Sequence, residues 1–250
     1  MAAPFSMDEA RAAVADAQSV VDACVKQFGA AGSVDAEQVI AYDLAHAAAA
    51  VACAKAAADY GDRGDTEAAL AAVFIADAVY DVASRVLGRE EQWGVEPGVL
   101  DKAVRMTASG RDPKFMASLC GEQGKRYLEG EMEMVQDTFR RFAEEKLKPV
   151  AEHIHRTNGD IPESIISGIA ELGAFGLSVP EEHGGWATGT EDEYMSMVIA
   201  TEELSRGSLG AGGSLITRPE ILARALVAGG TDEQKAEWLP KLATGEIMNA

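Results

Sequence analysis

Apolar residues recur along this chain at helical spacing. Leu128, Met132, Val135, Phe139 and Phe142 follow steps of 4, 3, 4 and 3, which places one apolar stripe on a long helix. Lys148-Pro149 is expected to kink or end that helix, and Asn158-Gly159 to turn the chain. Ile165, Ile166, Ile169 and Leu172 form the inner face of a shorter helix stopped by Gly173. Beyond a glycine-rich connection, helices are expected near 191–206 and 215–228, with a last one opened by Thr231. Thr231 and Gln234 have capping-box spacing, and Trp238, Leu239 and Leu242 supply the buried face. No stretch of period-2 alternation is long enough for a sheet, so the pattern predicts an all-α chain.

The first 110 residues follow the same rule with a smaller alphabet. They hold 31 of the 45 alanines, and Pro4 is the only proline before Pro97. Alanine is the best helix former and proline the worst, so this segment should be helical almost throughout. Ser6 and Glu9 have capping-box spacing ahead of a helix running to about Phe28 and closed by Gly29. A second helix is expected over 35–59, then a loop from Tyr60 to Gly64, then a third helix capped by Asp65 and ending at Gly88. Alanine faces let helix axes approach closely, which predicts a compact bundle. The division follows composition: a helical extension over 1–110 and a second helical domain over 111–250.

Charge narrows the function classes. The 250 residues carry 22 Lys+Arg against 41 Asp+Glu, a formal net charge of −19, and the acidic excess is shared by both halves. Nucleic-acid binding needs clustered Lys and Arg to displace counterions, so no nucleic-acid partner is expected, and an anionic membrane surface is disfavoured likewise. The apolar stretches 47–54 and 68–76 are short of the roughly 20 residues of a bilayer span. Cys24, Cys53 and Cys120 have neither metal-knuckle nor disulfide spacing, and the odd count suits a reducing compartment, so a cytoplasmic location is expected.

Small constellations give little chemistry. Asp59, Asp62 and Asp65 are three apart where a calcium loop needs spacing of two, and read as a solvated loop. His153 and His155 point to different helix faces, so no metal is expected. The run Gly207 to Gly213 lacks dinucleotide-binding register. It is either a plain connection or a place where a ligand or neighbouring backbone comes closer than a Cβ allows. Just beyond it, Ser214, Thr217 and Arg218 put polar groups on an otherwise apolar helix. Arg218 could be a surface charge or a bidentate grip on a carboxylate.

Three phrases carry a resemblance. The run from Ala170 to Gly185, AELGAFGLSVPEEHGG, the run Glu202-Glu203-Leu204-Ser205-Arg206, and the run from Gly230 to Glu246 are similar, in order and spacing, to signatures of flavin-dependent acyl-CoA dehydrogenases. From about Glu131 to Ala250 the chain resembles that family's N-terminal helical domain. The family's β-domain, with most flavin contacts, and its C-terminal helical domain, with the catalytic base, have no counterpart here, so no catalytic residue is expected in this chain. The resemblance implies FAD as cofactor, an acyl-CoA substrate, an electron-transfer flavoprotein as electron acceptor, and a homodimer or homotetramer. It places Gly212, Gly213, Ser214, Thr217 and Arg218 on the helix lining the acyl pocket.

The long helical extension resembles the branch of the family that oxidises (2S)-methylsuccinyl-CoA to mesaconyl-CoA. Arg218 suits a substrate ending in a free carboxylate, although related dicarboxylyl-CoA enzymes place an arginine nearer the helix start, where Gly212 stands here. Two alternatives remain: a dehydrogenase of a short monocarboxylyl-CoA, and a non-catalytic helical interaction module.

Overall fold

The computed structural model describes residues 2–31 and 34–248; Ala250, where the resemblance stops, lies outside the described residues. Twelve α-helices fall among them, and the only pairing of strand type is an isolated parallel bridge between Pro180 and Ala187. The chain is all-α. It divides into two compact units, Met1–Arg126 and Tyr127–Ala250, each with its own buried core among the described residues.

The first unit is built on α1 (Met7–Ala31), α2 (Gln38–Gly61) and α3 (Asp65–Val86), followed by α4 (Glu90–Trp93), α5 (Asp101–Thr107) and α6 (Pro113–Ser118). The Ser6 hydroxyl accepts from the Glu9 main-chain N–H while Glu9 accepts from the Ser6 N–H, closing the expected capping box. Gly29 lies inside α1 and does not end it. Residues 35–37 form a turn, so α2 starts three residues later than the sequence suggests. Asp65 is the first helical residue of α3 with no side-chain cap; Gly64 holds the cap position.

Alanine sets the packing. Ala10, Ala13 and Ala17 of α1 and Ala47, Val51, Ala54 and Ala58 of α2 are buried at steps of three and four. Helix α3 touches α1, α2 and α5 and buries one broad face, with Ala72, Ile75, Val79 and Val82 along its middle and Ala69, Ala76, Ala71 and Ala78 at its borders. Asp43 of α2 receives Arg85 and Arg89, and Asp59 and Asp62 both turn to Arg11 of α1. Among the described residues α2 alone is long and apolar enough to cross a membrane by length and composition. Its inner positions pack in this bundle's core.

Residues 111–126 also belong to the first unit. Arg111 pairs with Asp77 and lies over the Tyr80 ring, and Asp112 caps α6 through the N–H groups of Lys114 and Phe115.

The second unit runs through α7 (Glu131–Phe142), α8 (Lys148–Thr157), α9 (Glu163–Glu171), α10 (Glu191–Ser208), α11 (Ser214–Gly229) and α12 (Asp232–Thr244). Leu128 lies outside α7, so the stripe begins at Met132. A π-helical turn over Ala143–Leu147 joins α7 to α8, and Pro149 sits in the first turn of α8, where its missing N–H costs nothing. Asn158 ends α8 in the left-handed conformation. Thr231 and Gln234 form the expected capping box. On α12, Leu239 and Leu242 are buried, whereas Trp238 is partly exposed under Lys241.

Candidate functional site

Helix α10, the π-helical turn Leu209–Gly213 and α11 form the wall on which every candidate residue stands. Glu203 anchors it. Its carboxylate is fully buried and accepts two hydrogen bonds from Arg140 of α7, at 2.8 and 3.2 Å, and one from Arg206 at 2.9 Å. Arg206 reaches on to Glu144, which also meets Lys148. Burial by itself raises the Glu203 pKa, but the guanidinium hydrogen bonds and charges together hold it below the ordinary carboxylate value. Hydrogen bonds from Arg206 and Lys148 lower Glu144 in the same way. Carboxylates held ionised in this fashion clamp helices and are poor proton acceptors.

The glycines of the wall are crowded by the protein's own atoms. A Cβ on Gly212 would lie 2.6 Å from Leu147 Cδ1 and 3.0 Å from the Leu204 carbonyl oxygen. One on Gly213 would lie 2.0 Å from Ser205 Oγ. Both residues are buried, so of the two sequence readings the close approach is the observed one, and its occupant is the neighbouring helix.

Beyond the glycines the helix turns its polar residues elsewhere. Ser214, Arg218, Ile221 and Ala225 recur at steps of 4, 3 and 4, one face of α11. Arg218 and Ile221 are exposed on it and Ser214 is half-buried. Thr217 is half-buried and donates its hydroxyl to the Ser214 carbonyl. The structure therefore groups Ser214 with Arg218 and separates both from Gly212 and Gly213.

Two surface grooves lie on the second unit. One, of about 680 Å³, runs between the loop after Val179 and helices α10 and α11. Here Arg224 lies over the Tyr194 ring and bonds Glu193, Glu220 and Ser178. The other, of about 350 Å³, is apolar and lined by Met134, Val135, Phe139, Leu172, Leu177 and Trp186. Arg140, Arg206 and Arg224, the cations best placed to meet a phosphate, already face carboxylates.

The Arg140–Glu203–Arg206–Glu144 network escaped sequence reasoning, although Glu203 and Arg206 are three apart and Arg140 and Glu144 four apart on exposed-looking helix faces. The glycine-rich phrase before α10 likewise proves to be scaffolding. Gly173 ends α9 in the left-handed conformation with Trp186 Nε1 where a Cβ would point, and Gly185 lies against the Val179 carbonyl.

Residues 129–246 match the family model of the acyl-CoA dehydrogenase N-terminal domain. Nearly the whole of the second unit is therefore similar to that domain. Among curated proteins, (2S)-methylsuccinyl-CoA dehydrogenase of Cereibacter sphaeroides is 44% identical over 170 residues, 64% of this chain and 30% of that protein. Mitochondrial isovaleryl-CoA dehydrogenase of Solanum tuberosum is 39% identical over 111 residues, 44% of this chain and 26% of that protein. Glutaryl-CoA dehydrogenase of Desulfococcus multivorans is 31% identical over 121 residues, 48% of this chain and 31% of that protein. The chain spans less than a third of the length of these relatives. The first alignment takes in more of the chain than the second unit supplies, so that similarity runs back into the first unit.

Proposed function

We propose that this chain is part of an FAD-dependent acyl-CoA dehydrogenase that desaturates a short branched dicarboxylyl-CoA, (2S)-methylsuccinyl-CoA to mesaconyl-CoA. The observation that carries this reading is that the similarity to methylsuccinyl-CoA dehydrogenase runs past the second unit into part of the first. The exposed face of α11 supports it. Arg218 offers a guanidinium to a terminal carboxylate, Ser214 offers a hydroxyl one turn away, and Ile221 offers hydrocarbon to the acyl chain. Flavin would act as the oxidant, and an electron-transfer flavoprotein would take the electrons. The whole enzyme works in the cytoplasm as a homodimer or homotetramer.

A monocarboxylyl thioester is the second reading, favoured by the similarity to isovaleryl-CoA dehydrogenase. The full-length protein, reduced anaerobically with each thioester while its visible spectrum is recorded, separates the two. Bleaching by (2S)-methylsuccinyl-CoA and not by butyryl-CoA is expected; bleaching by butyryl-CoA alone overturns the dicarboxylyl substrate. Arg218→Met should lower kcat/KM for methylsuccinyl-CoA about 10- to 100-fold, the equivalent of one charge-assisted contact of roughly 1.5–3 kcal/mol. Its effect on any residual butyryl-CoA turnover should be small.

A further inference from the structure

The last seven residues of the first unit, 120–126, have no helix, yet their backbone is held. Both polar main-chain groups of Lys125 are engaged by side chains from other helices. Its N–H donates to a Glu67 carboxylate oxygen at 2.9 Å, and its carbonyl accepts from the Tyr60 hydroxyl at 2.9 Å. Glu67 is 5% exposed, so this bond is made in a shielded place at the start of α3. Gly124 completes the fit: a Cβ there would lie 1.9 Å from Tyr60 Oη. The side chains of Lys125 and Arg126 are nevertheless exposed. Immediately beyond, Tyr127 has φ +53°, a left-handed conformation that costs a non-glycine residue of order 1–3 kcal/mol and persists only where its surroundings enforce it.

We propose that residues 120–126 are a clamped strap, buckled onto the ends of α2 and α3 by Tyr60 and Glu67, which fixes the point where the chain leaves the first unit. The strap is a conformational device of the junction and is independent of the substrate reading. Lifting it requires the two Lys125 hydrogen bonds to break together, so its opening is a local event distinct from unfolding of the bundle.

Lys125 and Arg126 supply the assay, because trypsin recognises their exposed side chains but cleaves only where the backbone can lift into its cleft. Limited trypsinolysis of the full-length protein, with fragments read by mass spectrometry, should show slow cleavage after Lys125 and Arg126. Tyr60→Phe, which removes the donor to the Lys125 carbonyl, and Glu67→Leu, which removes the acceptor of its N–H, should each raise that rate about tenfold or more, while hydrogen exchange in α1–α3 stays as in the parent. Gly124→Ala should raise it further, and much less so when added to Tyr60→Phe, because the two changes remove the same buckle. Cleavage in the parent as fast as in urea-unfolded chain overturns the strap. So do unchanged rates in the Tyr60 and Glu67 variants, or additive effects of Gly124→Ala and Tyr60→Phe.

Discussion

Changing Glu203 to Gln would leave Arg140 and Arg206 facing a neutral amide at the middle of the α7–α10 contact. Removing one partner of a buried ion pair costs about 3–5 kcal/mol. Arg140 is 43% exposed and can turn to water, so a loss of about 3 kcal/mol is expected. Hydrogen exchange in α7 and α10 under rising urea measures it. The same carboxylate carries a pH signature. Its folded pKa is depressed, so its contribution to stability is full above the unfolded value near 4.5 and is lost as pH falls through the lower folded value. The parent should lose protection in α7 and α10 as pH falls below about 4.5, and Glu203→Gln should show a flatter acid limb.

Helices were legible where periodicity and caps agreed. The Ser6 and Thr231 capping boxes lie where the sequence places them, because an N-cap is a local affair of four residues. The errors share a different origin. The Trp238 indole gained a cation to lie under, and α1 ran past Gly29, because tertiary packing decides such positions and propensity only biases them. The two π-helical turns were invisible, since an extra residue in a turn leaves the apolar spacing nearly intact. They account for the wall's glycines: Gly212 receives Leu147, which ends one π turn, while itself standing inside the other. Two substitutions test that account at the level of helix packing. Gly212→Ala meets a carbonyl oxygen and should cost about 1–3 kcal/mol. Gly213→Ala meets a hydroxyl, so adding Ser205→Ala should recover most of its loss, as a thermal melt of each variant will show.

For the whole molecule, composition and contacts mark different places. Alanine thins out at about residue 110, yet Gly110 lies against the Ala72 carbonyl, Arg111 crosses to Asp77, and Lys125 returns to α2 and α3. Sequence could not show this, because the partners lie 34 to 65 positions apart. A chain ending at residue 126 should melt cooperatively by far-ultraviolet circular dichroism. One ending at 110 should melt lower, since it forfeits the Arg111 and Lys125 contacts; equal melting temperatures would refute the assignment of 111–126 to the first unit. The candidate wall was readable only in part. Gly212 and Gly213 stood out as costly residues, but the atoms that crowd them come from the π-helical turn after α7 and from α10, and which face of α11 Arg218 occupies depends on that packing.

The outward side of α2 has a practical use. Tyr42, Ala49, Ala52, Cys53 and Ala56 are exposed there, and Cys53 is thus a thiol on a bare, uncrowded helix surface. Cys24, by contrast, is sealed in the bundle, with burial pushing its thiol pKa up. With Cys120 and every exposed cysteine outside these 250 residues changed to serine, a polarity-sensitive dye would attach at Cys53. Its emission would then tell, in the full-length protein, whether that helix looks onto water or onto another layer of protein.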